Sequence, residues 1–307
     1  MKCCGGLILG LFVVFGASVS QGEWKMRIHK GATVEEHALA DVDSLTFYDA
    51  PSMVLIPAGT FTMGSPTSEP GRSSDEVQHQ VTLTHPIYVS TYEATQSEWQ
   101  AVMGWNESYV LGTAKPVETV TWFDAVSYCN QRSIYDGFTA VYTITGATYD
   151  GNHIINATVA WNQAANGYRL LTEAEWEYAC RAGSTTALCN GGITNIYCSP
   201  LDPNLDQVGW YCGNSSDTTH DVGGKTANAW GLKDMHGNVW EWCWDWYDIY
   251  PAGPMEDPTG PASGSYRVLR GGCWNGSAPY CRSAHRFSIY PDGGSYNLGL
   301  RLSRTAP

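Results

Sequence analysis

The chain has 307 residues, 43% of them hydrophobic and 15% charged, a composition that suits a globular protein with a sizeable core. Seventeen basic against 30 acidic residues leave a net charge of -13, which argues against nucleic-acid binding and against attraction to anionic lipid. Thirty-three Gly, 13 Trp and 18 Tyr beside seven Phe imply many turns and aromatics whose polar tips need partners, so a loop-rich mixed α+β fold is expected over a helical bundle.

At the N-terminus one Lys precedes an apolar run from Leu7 to Phe15 and the small residues Ala17, Ser18, Val19 and Ser20. That pattern predicts a signal peptide over 1–20, cut after Ser20, too short to span a bilayer. The mature chain is then exported, to periplasm, cell surface or exterior, without a transmembrane segment. Eight cysteines remain, an even number that fits disulfides, and no C-x-x-C or Cys/His spacing suggests zinc.

Residues 21–50 read as a short β leader module around a His29-Lys30-Gly31 turn, with Met26, Ile28, Val34, Leu39 and Leu45 facing inward. Ala50-Pro51-Ser52 makes a boundary, so a single large domain is expected over 51–307. MVLIPAGTFTMGS predicts a hairpin of two strands about Pro57-Ala58-Gly59. Three helices are each opened by a threonine with an acidic residue three positions on: Thr95 and Glu98, Thr121 and Asp124, Thr172 and Glu175. Between the second and third, the Thr-, Tyr-, Ile- and Val-rich stretch from Tyr142 reads as a hairpin insertion. Residues 188–228 are mostly Gly, Asn, Asp and Ser, too polar for their own core, and Cys189, Cys198 and Cys212 are placed to hold them.

Two segments could carry chemistry. GLKDMHGNVWEW offers Asp234 and Glu241 as hard oxygen ligands with the carbonyls of Gly237 and Val239 between them, which suits calcium. Asn204, Asp206 and Asp217 are looser candidates for a second ion. Farther on, Cys273 and Cys281 are eight residues apart in a glycine-flanked loop, and thiolates are the ligands copper(I) prefers. A disulfide involving one or both is the simpler expectation. Arg270, Arg282, Arg286 and Arg301 are expected to pair with Glu173, Glu175 or Glu177, and His236 and His285 to be hydrogen-bonded or solvent-facing. No G-x-S-x-G elbow supports a serine hydrolase.

GYRLLTEAEWEYACRAG (167–183), NAWGLKDMHGNVWEWCWDWY (228–247) and RVLRGGCWNGSAPYCRSAHRFSIYPDGGSYNLGLRL (267–302) together resemble the formylglycine-generating, sulfatase-modifying factor family. The resemblance runs from Met53 to Arg304 and implies a formylglycine-generating-enzyme-like, C-type-lectin-related fold with short helices and hairpins. It also implies a structural calcium at Asp234, Gly237, Val239 and Glu241, with Asp234 where the family has Asn. The family's enzymes oxidise a sulfatase cysteine to formylglycine with copper, oxygen and two cysteines five residues apart. The second of these falls on Cys281 and the first on Gly276, leaving Cys273 as the substitute.

Two functions are therefore weighed. One is a binding or repurposed domain whose Trp274, Tyr280, Phe287, Tyr290 and Tyr296 contact a protein, peptide or glycan ligand. The other is the copper- and oxygen-dependent oxidase, with Cys281 and Cys273 catalytic. Residues 275–297 contain no Lys, Glu, Gln or Met and resemble the variable region of retroelement-diversified lectin-like proteins.

Overall fold

The computed structural model describes residues 50–307 and, before them, the backbone of three strands, β1 (Val13–Phe15), β2 (Lys25–Lys30) and β3 (Thr33–Ala38). Two compact units result, Met1–Tyr48 and Asp49–Pro307. In the first, β1, β2 and β3 form an antiparallel sheet in that order, with Lys30 paired to Thr33. The signal-peptide expectation for 1–20, beyond the β1 backbone, lies outside the described residues, as do the side chains expected to face inward from the leader.

In the second unit the predicted 53–65 hairpin does not form. The strands β4 (Met53–Ile56) and β5 (Gly59–Met63) pair instead with β7 (Ile87–Ser90) and β6 (His79–Leu83) respectively. Ile56 faces Ile87 and Gly59 faces Leu83, so one long antiparallel ladder is bent where Pro57 and Pro86 sit in its two arms. Proline lacks the N–H that a continuous ladder needs, and the bend sends the two halves into different sheets.

All three predicted helices are present: α1 (Gln96–Met103), α2 (Trp122–Tyr135) and α3 (Glu173–Arg181). Each opens with a complete capping box. Thr95, Thr121 and Thr172 accept from the Glu98, Asp124 and Glu175 amides at 3.2, 3.0 and 3.2 Å, and the three carboxylates accept the threonine amides in return. The insertion is the hairpin β8 (Tyr142–Asp150) with β9 (His153–Trp161). The polar stretch contains only the short helix α4 (Leu205–Val208) and is closed by a Cys198–Cys212 disulfide.

Beyond it come β10 (Trp240–Trp246), β11 (Met255–Glu256), β12 (Arg267–Arg270), β13 (Phe287–Ile289), β14 (Leu298–Gly299) and β15 (Ser303–Thr305). They close the fold: β13, β12, β10 and β14 make one sheet in that order, β11 adds to β6, and β15 adds to β7. The strand β10 has core on both faces. Trp240 and Trp242 pack into a cluster with Trp99, Trp122 and Tyr128, while Cys243 packs with Trp176, Ala179 and Val268. Each fully buried tryptophan removes about 150–250 Å² from water, about 4–6 kcal/mol of transfer free energy. Among the described residues no helix is long and apolar enough to cross a membrane.

Candidate functional site

The C-terminal run leaves β12 through Gly271 and Gly272, both at positive φ. A side chain at 272 would meet Cys281 Sγ at 2.7 Å and the Tyr280 backbone at 2.9 Å, so only glycine allows the loop to fold back this closely. The return passes through a short 3-10 turn, Ala278–Cys281. It brings the Cys273 amide onto the Cys281 sulfur.

Cys273 and Cys281 are both buried and both free thiols, which corrects the expectation of a disulfide there. The disulfide lies in the polar stretch instead, and Cys189 is also free. Burial pushes the Cys273 thiol up to about 11 and raises Cys281 well above its ordinary value. In keeping with a protonated sulfur, Cys273 Sγ donates to Asn275 Oδ1 at 3.0 Å. A Cβ built at Gly276 would lie 3.3 Å from Cys273 Sγ, so that sulfur sits beside Gly276. His236 is buried, with Nδ1 2.8 Å from the Cys281 carbonyl and Nε2 3.1 Å from the Cys189 amide; donation by Nδ1 and acceptance by Nε2 satisfy both.

Past Cys281 the chain is riveted by arginines. Arg282 makes a two-pronged pair with Glu76 (2.6 and 2.7 Å) and reaches Glu69 (2.7 Å). Arg286 grips Glu173 through Nε and Nη2 at 2.6 and 2.9 Å, and Arg270 donates to Glu177. The expected partners are thus found for Arg270 and Arg286. Arg282 turns to the loop before β6 and Arg301 to Glu241, while Glu175 is taken by Arg169 (2.6 and 2.7 Å). His285 is buried rather than solvent-facing, with Nδ1 3.6 Å from the Glu76 carboxylate, and burial lowers its pKa.

This frame presents Tyr280, Phe287, Tyr290 and Tyr296 at 44–56% exposure. Trp274, expected among them, is 7% exposed, because its ring packs toward Tyr296 (5.7 Å) and its indole faces the Tyr296 carbonyl at 3.3 Å. Trp240 lies against Phe287 (5.4 Å) and Tyr280 (6.2 Å). Two further exposed tyrosines extend the surface: Tyr266 contacts Tyr290 at 4.5 Å and Tyr109 contacts Tyr296 at 5.8 Å. Neither carries a sequence signal, since each joins from a separate loop.

At the candidate calcium segment, Asp234 is buried, with Oδ2 accepting the Gly223 amide and Oδ1 lacking any hydrogen-bond partner. Glu241 is heavily engaged. Three N–H groups are committed to it: Arg301 Nε, shared between both oxygens, and Nη2 at 2.8–3.1 Å, and the Trp176 indole at 2.7 Å. Glu93 was missed from sequence. It is buried beside these groups, accepts the Val239 amide and the Asn238 side chain, and has its pKa raised by burial and by the charges of Asp234 and Glu241. Burial likewise raises Asp234. The orphaned Asp234 oxygen is a hard donor of the kind calcium takes, while among the described residues no three His, Cys, Asp or Glu side chains gather as a metal site. Asp206, a looser candidate, is already paired with Lys225 at 3.3 Å.

Comparison with known proteins gives this geometry a family. The chain is 34% identical over 275 residues to the chaperone protein LppX of Paenibacillus barcinonensis, covering 82% of this chain and 89% of that one. It is 31% identical over 291 residues to the formylglycine-generating enzyme of Streptomyces coelicolor, again 82% and 89%. Among solved structures it resembles Treponema denticola variable protein 1, with a TM-score of 0.72, 32% identity, and coverage of 92% of this chain and 99% of that chain. Residues 39–306 match the sulfatase-modifying factor enzyme 1-like domain, and the protein belongs to this FGE-sulfatase family.

Proposed function

We propose that this protein is an exported binding domain of the family, and that Tyr280, Phe287, Tyr290 and Tyr296 form its contact surface for a protein or peptide. The observation that carries the reading is the pairing of an exposed tyrosine-rich surface with a rigid, arginine-riveted frame. Large aromatics held on a stiff support bind with little loss of conformational entropy, the property that enriches them in recognition surfaces. Similarity to proteins named a chaperone and a variable protein supports it. So does the state of the thiols, since copper(I) and nucleophilic chemistry require thiolates and burial here favours the neutral form.

The second reading is the oxidase that converts a sulfatase cysteine to formylglycine with copper and oxygen. It is favoured by the position of Cys273 Sγ beside Gly276. One experiment separates the two. Purified protein is loaded with copper(I), incubated with a sulfatase-motif peptide in air and assayed for aldehyde by mass spectrometry. In parallel a displayed random-peptide library is selected on the wild type and on Tyr290→Ala/Tyr296→Ala. Binding predicts no aldehyde and enriched peptides whose affinity drops at least tenfold in the double variant. Aldehyde formation, or peptides indifferent to the two tyrosines, sinks the binding reading.

The same proposal includes a structural calcium held by Asp234 and Glu93. Chelation with EGTA is expected to lower Tm by several degrees and calcium to restore it, with Asp234→Ala insensitive to both. A melting curve unmoved by EGTA in protein purified with calcium counts against the ion.

A further inference from the structure

A second cleft lies apart from the aromatic surface, between the N-terminal end of α3, the far end of β10 and the loop 248–261. Its volume is about 380 Å³, room for a small molecule, and none of Tyr280, Phe287, Tyr290 and Tyr296 lines it. Met63, Trp246, Tyr250, Pro251, Met255 and Pro261 supply apolar walls.

The polar lining is one-sided. Glu173, Asp245, Asp248 and Asp257 all face the cleft, against His79 and Arg286. Arg286 is held to Glu173 through Nε and Nη2, with Nη1 3.8 Å from Asp75, and Tyr250 donates to the Glu173 carboxylate at 3.0 Å. His79 has its Nδ1 3.0 Å from the Val77 carbonyl. Asp257 holds the Thr84 amide and hydroxyl.

Asp245 has no such cation. It is 4% exposed, its Oδ2 accepts the Glu173 amide at 2.8 Å, and its Oδ1 lies near Gly260. The nearby cation on β12, Arg267, is turned away: its guanidinium sits over the rings of Trp246 (3.5 Å) and Trp122 (3.6 Å) and donates to the Trp244 carbonyl. A buried carboxyl is normally paired or neutral. Here burial first, then the charges of Glu173 and Glu175, push Asp245 up to about 8 against the opposing pull of the Glu173 amide and, more weakly, of Arg267.

We propose that this cleft binds a small organic cation, an ammonium or guanidinium head on an apolar body, with Asp245 as its counter-ion. Asp248 at the rim adds attraction, the apolar walls take the hydrocarbon, and the clustered carboxylates turn anions away. Binding ionises Asp245, whose proton leaves to solvent.

The test is isothermal titration of the full-length protein with hexylamine, phenethylamine and agmatine, and with hexanol and hexanoate as uncharged and anionic controls. At least one amine is expected to bind, tightening about 15-fold from pH 6.5 to pH 8 and releasing nearly one proton at the lower pH, as shown by buffers of different ionisation enthalpy. Asp245→Asn should weaken it at least tenfold and flatten the pH dependence. Asp248→Asn, at an exposed position, should weaken it a few-fold without disturbing the fold. Carbon NMR of the Asp245 carboxyl, which needs no variant, should show its titration moving to lower pH as amine is added. The proposal is overturned if no amine binds at millimolar concentration, if hexanol or hexanoate binds as tightly, or if amine affinity is level with pH and leaves the Asp245 signal unmoved.

Discussion

Glu76→Ala is expected to cost about 3–5 kcal/mol of folding free energy. Glu76 and Arg282 are fully buried and share two hydrogen bonds at 2.6 and 2.7 Å, while Ser65 and the Ser73 amide complete the carboxylate's partners. Truncation leaves the guanidinium with only Glu69 and the Gly71 carbonyl, inside low-dielectric surroundings. Burial alone would raise the Glu76 pKa; the bonds and charge of Arg282, with His285 and Ser65, outweigh it and hold the carboxyl well below its usual range. A depressed folded-state pKa means stability that is present above the unfolded value, near 4.5, and lost as pH falls below it. Urea unfolding from pH 3 to 8 should therefore show a steeper acid-side slope in the wild type than in the variant, Glu173, Asp202 and Asp206 contributing the same trend to both. Because Arg282 directly follows Cys281, the variant should also loosen the turn carrying Tyr280 and weaken peptide binding. Glu76→Ala/Arg282→Met should recover part of the lost stability, since removing both charges leaves none unpaired. Equal stability of Glu76→Ala and wild type at pH 7 would show that the pair contributes nothing net.

Asp245→Asn is expected to act in the opposite direction, stabilising the protein at pH 7 by on the order of 2–4 kcal/mol. Asn keeps the acceptor for the Glu173 amide and removes the charge that burial opposes. The sign follows from proton counting. With a folded pKa near 8 against 3.8 unfolded, the folded state holds the extra proton between those values, so wild-type stability falls as pH rises through that window. The difference between variant and wild type should be near zero at pH 3.5, grow through pH 7 and level off above pH 8. Glu93 and Asp234 are raised as well and contribute the same trend to both proteins, so only the difference reports on Asp245. A constant difference across the range would mean that Asp245 finds its counter-charge within the fold. These two carboxylates, both buried, differ because one is bonded to an arginine and the other faces a cleft.

The parts legible from sequence were those whose physics is local. Thr95, Thr121 and Thr172 each cap their own helix three residues on, so the capping box is visible without knowing the fold. The Tyr142–Trp161 hairpin announced itself by its β-rich pattern about a glycine turn. Strand partners were harder. The β4 strand reads as half of a hairpin with β5 until β7 offers a matching row across the proline bend, a choice made between segments some 30 residues apart.

Family membership and the mixed α+β fold were determined by the sequence itself, because each rests on residue identity and order. Whether Cys273 and Cys281 form a bond, whether Glu241 is free to hold a metal, and which aromatics face water were decided only in three dimensions. Each depends on what other chain segments bring: the Gly272 fold-back for the thiols, Arg301 and Trp176 for Glu241, and Tyr109 and Tyr266 for the exposed surface. Burial and electrostatics are properties of neighbourhoods, and a one-dimensional chain does not state its neighbours.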